Sequence, residues 1–160
     1  MNQNAENSNP DCQSPFKDIF EAAEKGTVED VQYFVETKRS HVNLKDEDGW
    51  TPLHVAAKYN PRMEVIKYFI SQDVYVDERI WHSIRTLWGN CCTVDGEYSP
   101  LHLAARSNPN IEVVRYLISM GADVNLDDGA GVTPLDLAKN EEVKSVLREA
   151  DGQTREQREK

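Results

Sequence analysis

Three short segments of this chain share one sequence motif. The motif reads TPLHVAA from Thr51, SPLHLAA from Ser99 and TPLDLAK from Thr133, and DIFEAAEKG from Asp18 fits the same frame without the TPLH letters. The equivalent apolar positions lie 34, 48 and 34 residues apart, at Ile19, Leu53, Leu101 and Leu135. A repeat of this length is one supersecondary unit that must stack on its neighbours to bury its apolar face. The chain therefore predicts a solenoid of four units with an insertion between the second and the third.

Each unit has the pattern of two short helices. The first helix carries a pair of small alanines, which lets helices of neighbouring units approach closely: Ala22-Ala23, Ala56-Ala57 and Ala104-Ala105. The second helix carries apolar residues at helical spacing: Val31, Phe34 and Val35, then Ile66, Phe69 and Ile70, then Val114, Leu117 and Ile118. The apolar face of each helix pair predicts packing between units.

Turn residues separate the two helices and follow the second one. Asn60-Pro61 and Asn108-Pro109 match a helix start, because Asn is a good N-cap and Pro fits the first helical position. Gly121 follows the third outer helix where a left-handed C-cap is expected, and Asp73 holds that place in the second unit. These residues predict where the outer helices begin and end.

Extended turns connect the units. HVNLKDEDGWTPLH from His41 and ADVNLDDGAGVTPLD from Ala122 both contain the pattern DxxGxT. Together, TPLHxAA, GADVN and DxxGxT at a period near 33 resemble the ankyrin repeat family over about residues 16–150. The resemblance implies an all-α solenoid of stacked helix-turn-helix units, with hairpin fingers that project toward a concave side. It also implies a function in protein–protein recognition.

The repeat frame divides the chain into parts. The predicted repeats cover residues 16–46, 47–78, 95–128 and 129–150, and the second finger carries the insertion at 78–94. Residues 1–15 and 151–160 are polar and are expected to be disordered tails. The first and last repeats carry polar positions typical of solubilising caps, because an end repeat lacks one neighbour.

The insertion contains apolar residues at helical spacing: Ile80, Trp81, Ile84, Leu87 and Trp88. This pattern predicts a helix over residues 78–88, with Asp77 as its N-cap and Gly89 at its end. An isolated helix of this length is marginal in water, so its apolar face must dock somewhere. It docks either on the concave surface of its own repeats or on a partner.

The ankyrin resemblance implies partner contact at the finger tips and on the exposed side of the first helices. Trp, Tyr and Arg are enriched at binding hot spots. The predicted partner-binding residues are therefore Trp50, Lys58, Tyr59, Trp81, Trp88, Tyr98, Arg106 and Ser107. Trp50 has an alternative role, in which it shields the base of its own finger.

Composition narrows the class of partner. The net charge of −10 argues against binding to a nucleic acid backbone and permits binding to a basic protein or peptide. No apolar run is long enough to span a membrane, and the N-terminus lacks the basic start and apolar core of a signal peptide. Three cysteines cannot form a disulfide framework, so we expect a reducing intracellular setting, cytoplasmic or alternatively nuclear. We also expect the protein to be a monomer.

No catalytic motif is present, and the sequence predicts a protein that is not an enzyme and needs no cofactor. The chain lacks a Gly-rich phosphate loop, G-x-S-x-G and H-E-x-x-H. His54 and His102 are expected to form hydrogen bonds within and between repeats. The finger carboxylates are expected to be solvated turn residues: Asp46, Glu47, Asp48, Asp127 and Asp128.

Two alternatives concern the insertion. His82, Cys91 and Cys92 suggest a metal- or redox-responsive module, but a zinc site needs about four ligands with recognisable spacing, which these residues do not supply. No catalytic or metal-binding residue is therefore predicted. In the second alternative, the insertion is purely structural and packs on its own repeats.

Overall fold

Four pairs of helices stack in register in the computed structural model of the chain. The model describes residues 14–83 and 95–158, without the side chains of residues 81–83, 95 and 152–158. The first, inner helices of the pairs are α1 (Ile19–Lys25), α3 (Pro52–Tyr59), α5 (Pro100–Ser107) and α7 (Pro134–Leu137). The second, outer helices are α2 (Val28–Gln32), which continues as a π-helical turn (Tyr33–Thr37), α4 (Met63–Ser71), α6 (Ile111–Ser119) and α8 (Glu141–Arg158).

Packing between successive inner helices confirms the predicted all-α solenoid. Helices α1, α3, α5 and α7 contact one another in that order, and α2, α4, α6 and α8 follow the same order outside them. The predicted alanine pairs lie at the inner contacts, with exposures between 0% and 4%. The core continues between the inner and outer layers through Val65, Ile66 and Phe69 of α4, each fully buried.

The TPLH segments begin the inner helices as their chemistry requires. Thr51, Ser99 and Thr133 each precede a proline in the first helical turn. An N–H at that position would have no acceptor within the helix, so proline removes no hydrogen bond. In α1, which lacks the motif, Asp18 Oδ1 accepts hydrogen bonds from the N–H groups of Phe20 and Glu21.

Asn60 and Asn108 have a different role from the predicted one. They follow α3 and α5, whereas the outer helices begin later, at Met63 and Ile111. Asn60 is fully buried, and its side-chain amide donates to the carbonyls of Ala23 at 2.9 Å and Gly26 at 3.1 Å. The prediction of an N-cap is therefore wrong, because these amides bind the backbone of the preceding repeat instead of their own helix.

The predicted left-handed residues are confirmed. Asp73 follows α4 with φ 55°, and Gly121 follows α6 with φ 93°. Arg39 takes φ 54° after the π-helical turn of the first repeat, a position that the sequence did not single out. Each backbone reversal leads into a finger.

The second finger contains a β-hairpin where the sequence predicted a helix. Strand β1 (Ile80–Ser83) pairs antiparallel with β2 (Asp95–Tyr98), so Ile80 faces Tyr98 and Ser83 faces Asp95. The prediction of a helix over 78–88 is wrong in its first part. Its remaining residues from 84, with Gly89 and Trp88, lie outside the described residues.

Tertiary pairing explains the strand. The two strands of the second finger pair with each other. Strand β2 also joins the third finger, because the Glu97 N–H donates to the carbonyl of Asp128 at 2.9 Å. These backbone pairings favour a strand more than the helical spacing of the apolar residues favours a helix. Asp77 caps no helix here. Its carboxylate accepts the N–H of Asp123 at 3.1 Å, and thus ties the second finger to the third.

The C-terminal helix is longer than predicted. Helix α8 runs past Ala150 to Arg158, into the segment that was expected to be a disordered tail. Residues 1–13 of the predicted N-terminal tail lie outside the described residues. Among the helices that the structure describes, none is long and apolar enough to cross a membrane.

Candidate partner-binding surface

Two of the eight residues predicted for partner contact are buried at the bases of fingers. Trp50 is 6% exposed and Tyr98 is 2% exposed, and they pack with Ile80 and Leu103 in a second, smaller apolar cluster. Burial also raises the pKa of the Tyr98 hydroxyl. Both rings therefore stabilise finger bases, in the alternative role considered for Trp50, and offer little surface to a partner.

Tyr59 is the exposed aromatic residue among those members of the predicted set whose side chains the structure describes. It lies at the end of α3 with 42% of its surface exposed. The Lys58 ammonium lies 4.6 Å from the centroid of the Tyr59 ring and 4.9 Å from that of Trp50. A cation over an aromatic face is attracted by the ring quadrupole. Lys58 therefore connects the exposed ring to the buried one.

Arg106 and Ser107 occupy the same places in the next repeat. They end α5, which packs directly against α3, and Arg106 is half-buried whereas Ser107 is exposed. The structure thus brings Lys58, Tyr59, Arg106 and Ser107 to the ends of adjacent inner helices. The backbone of Trp81 lies in β1, but its side chain and the whole of Trp88 lie outside the described residues.

An open groove of about 470 Å³ lies beside this surface, between α1, the first finger and α3. We call it the acidic groove. Its apolar lining comes from Phe20, Trp50, Val55 and Tyr59. Its charged lining has two lysines, Lys17 and Lys25, and five carboxylates, those of Asp18, Glu21, Glu24, Asp46 and Asp48. The groove was missed in the sequence because its two acidic walls are more than 20 residues apart in the chain.

The finger carboxylates do not share one environment. Asp46, Glu47 and Asp48 are exposed, as expected for solvated turn residues. Asp128 is 1% exposed, and its Oδ2 has no hydrogen-bond partner among the described residues. The expectation that Asp128 is solvated is wrong, because β2 of the enlarged second finger covers it.

The two repeat histidines are buried and connect successive units. The His54 Nε2–H donates to the carbonyl of Glu78 at 2.9 Å, while its Nδ1 accepts from the Thr51 hydroxyl at 2.8 Å. His102 makes the equivalent contact to the Val132 carbonyl at 3.2 Å. Burial lowers the pKa of His54 to about 4 and lowers that of His102 in the same direction. Both rings are neutral at pH 7 and hold the fingers in place.

No group of three or more His, Cys, Asp or Glu side chains in the described ranges is arranged to hold a metal ion. The residues behind the metal or redox alternative, Cys91, Cys92 and the side chain of His82, lie outside those ranges. This alternative therefore gains no support from the geometry.

Residues 19–128 and 83–155 match the family model described as ankyrin repeats in three copies. The chain belongs to the ankyrin repeat family. Its stacked helix pairs, fingers and TPLH helix starts are the structural counterpart of that match.

Curated proteins that are also named after the ankyrin repeat are similar in sequence to part of this chain. It is 42% identical over 57 residues to ankyrin repeat domain-containing protein 49 of Bos taurus, a segment that covers 36% of this chain and 24% of that protein. It is 38% identical over 58 residues to the protein of the same name from Homo sapiens, with coverages of 36% and 24%. The aligned segment thus spans about a quarter of the length of these curated relatives.

Sequence reasoning missed the inter-repeat asparagines as connecting residues. Asn108 donates to the carbonyls of Ala57 and Asn60, as Asn60 does to the first ankyrin repeat. The sequence did contain a sign of this role, because both asparagines follow an alanine-containing helix at the same position of the repeat. A polar residue that recurs there indicates a bond between repeats.

Proposed function

We propose that this chain binds a partner protein or peptide through the concave surface formed by its fingers and inner helices. Ankyrin repeats are generally protein–protein interaction modules and not enzymes. The observation that carries the proposal is Tyr59, an aromatic side chain that is 42% exposed on a packed helix. Lys58, Arg106 and Ser107 extend this surface across two repeats.

The mechanism of binding is recognition by a rigid surface. Side chains on packed helices and on fingers tied to their neighbours lose little entropy when a partner binds. Lys58 supports Tyr59 from the side of Trp50, which keeps the exposed ring oriented. We place the binding energy on Tyr59 and Arg106, since Tyr and Arg are hot-spot residues.

In this proposal the base of the second finger, which consists of β1 and β2, has a different role from its tip, residues 84–94. The base is supported as part of the stack by Ile80, which is 1% exposed, and by the bond from Glu97 to the third finger. Residues 84–94, together with Trp81, are assigned to partner contact. The protein acts as an intracellular monomer without a cofactor.

Substitution of the exposed pair tests the proposed surface. The partner is first obtained by affinity purification with the full chain, and its affinity for variants is then measured by calorimetry. Tyr59→Ala and Arg106→Ala are each expected to weaken binding by about tenfold, an ordinary hot-spot loss of more than about 1 kcal/mol.

Two matched variants serve as controls for this test. Tyr75→Ala removes a ring that is 72% exposed and does not line the groove, and Arg115→Ala removes a charge from outer helix α6. Both are expected to keep full affinity. If Tyr59→Ala and Arg106→Ala bind the partner as tightly as these controls, the proposed surface is wrong.

A further inference from the structure

The acidic groove combines an apolar floor with carboxylates on two walls. One wall is α1 with Asp18, Glu21 and Glu24, and the other is the first finger with Asp46 and Asp48. Its volume of about 470 Å³ lies in the usual range of ligand sites. A ligand that fits must therefore offer both positive charge and apolar surface.

Backbone groups orient the carboxylates at the ends of both walls. Asp46 Oδ1 accepts the N–H groups of Asp48 at 3.0 Å and Trp50 at 2.8 Å. Asp18 Oδ1 accepts those of Phe20 at 3.0 Å and Glu21 at 2.9 Å. Neutral N–H donors hold a carboxylate in place without cancelling its charge. Asp18 and Asp46 are thus held in place with their negative charge intact, whereas Glu24 is paired with Lys25 at 3.4 Å.

The aromatic side chains of the groove already accept a cation. Lys58 lies within 5 Å of the ring centroids of both Tyr59 and Trp50. A planar guanidinium stacks on an exposed ring such as that of Tyr59, and it also forms paired hydrogen bonds with carboxylates, which an ammonium cannot do. The apolar stem of an arginine would pack on Phe20 and Val55 while its charged end reaches the finger carboxylates.

We infer that the acidic groove binds an arginine-bearing peptide segment of the partner protein. This inference rests on the proposed function and adds the chemical class of the partner. Phosphate-bearing ligands are disfavoured by five lining carboxylates against three lysines, which are the two of the lining and Lys58 beside the aromatic rings. Residues 1–13 of this chain contain Glu6 and Asp11 and no lysine or arginine, so their charge does not complement the groove.

Fluorescence anisotropy with two matched peptides tests the charge requirement. The probe is a fluorescein-labelled heptapeptide that alternates arginine with phenylalanine and leucine, and its control has citrulline, the neutral isostere, in place of every arginine. The full chain is expected to bind the arginine peptide about tenfold more tightly, with a preference that falls as salt is added. Equal binding of both peptides overturns the inference.

A neutralised groove tests the location. Its three substitutions keep the shape of each side chain: Glu21→Gln, Glu24→Gln and Asp48→Asn. The control variant changes the net charge equally on the exposed surface of the outer helices: Glu64→Gln, Glu112→Gln and Glu142→Gln. The groove variant is expected to bind the arginine peptide about tenfold more weakly than wild type, and the control variant as wild type does.

The two proposals fail in different ways. If the groove variant keeps its affinity for the arginine peptide while Tyr59→Ala loses the purified partner, the inference is wrong and the proposed function stands. If Tyr59→Ala and Arg106→Ala both keep the purified partner while the groove variant loses the arginine peptide, the proposed surface is wrong and the groove chemistry is correct. Thermal unfolding of every variant excludes loss of fold as the cause.

Discussion

The side-chain amide of Asn108 donates a hydrogen bond to the backbone carbonyl of Asn60 at 3.0 Å. Asn60 in turn donates to the carbonyls of Ala23 and Gly26 in the repeat before it. Each asparagine thereby donates to carbonyls at the C-terminal end of the preceding inner helix, where the last carbonyls have no hydrogen-bond donor within the helix. A line of amides connects the first three repeats through their backbones.

Asn60→Ala is expected to lower the free energy of unfolding by about 2 to 3 kcal/mol, because removal of the fully buried amide leaves two carbonyls without a donor. Urea denaturation followed by circular dichroism measures the change. The control is Asn43→Ala in the exposed part of the first finger, expected to change stability by less than about 0.5 kcal/mol. Equal effects of the two substitutions would contradict a role of Asn60 between repeats.

His54 makes stability depend on pH in the acid range. Burial lowers its folded pKa from 6.5 to about 4, so the unfolded chain takes up the proton first as the pH falls. The stabilising contribution of the neutral ring is complete above pH 6.5 and is lost toward pH 4, by about 3 kcal/mol in all. The lowered pKa of His102 acts in the same direction.

Urea denaturation between pH 7 and pH 4 measures this dependence. His54→Gln is expected to be less stable than wild type at pH 7, with a smaller loss on acidification, because the titrating ring is gone. His41→Gln, in an exposed loop, serves as the control and is expected to follow wild type. The assignment to His54 is wrong if the wild-type and His54→Gln curves run parallel across this range.

Gly96→Ala tests the close contact between the second and third fingers. A Cβ atom at this position would lie 2.7 Å from Asp128 Oδ2 and 3.2 Å from its Cγ, and the carboxylate is enclosed. Forced repacking of this kind is expected to cost about 1 to 3 kcal/mol in unfolding free energy. In a double-mutant cycle, Gly96→Ala should cost less in an Asp128→Ala background. An unchanged cost would place the strain elsewhere.

Shortening the second finger separates its base from its tip. Residues 84–94 are replaced by Asn-Gly, which joins the paired residues Ser83 and Asp95 by a tight turn that suits a hairpin. The melting temperature is expected to stay within about 4 °C of wild type, because the strand pairs and Ile80 remain. Partner affinity measured by calorimetry is expected to fall, since the proposed contacts of the tip are removed.

The matched comparison removes the base as well. Deletion of residues 79–92 takes away β1 and the buried Ile80, and is expected to destabilise the stack by about 3 kcal/mol or more. If the short-turn variant binds the partner as wild type does, residues 84–94 make no contact with it. If it melts as low as the deletion, the tip is also part of the stack.

Local patterns in the sequence were enough for the repeat architecture. The spacing of the TPLH segments, the alanine pairs and the apolar stripes each predict helix pairs that must stack, and the stack has that form. Asp73 and Gly121 also follow from local chemistry, since a backbone reversal after a helix favours residues that tolerate positive φ. Such features depend on a few neighbouring residues and are therefore visible in one chain.

Contacts between repeats decided the rest. Ile80 and Trp81 have a spacing that suits a helix, but pairing with β2 makes their segment a strand. Trp50 and Tyr98 resemble binding residues in composition, yet packing at finger bases buries them. The acidic groove exists because α1 and the first finger, which α2 and the π-helical turn separate in the chain, line the same space in the fold. The sequence alone thus determined the repeating unit, and the tertiary structure decided which side chains face outward, because burial depends on what neighbouring units cover.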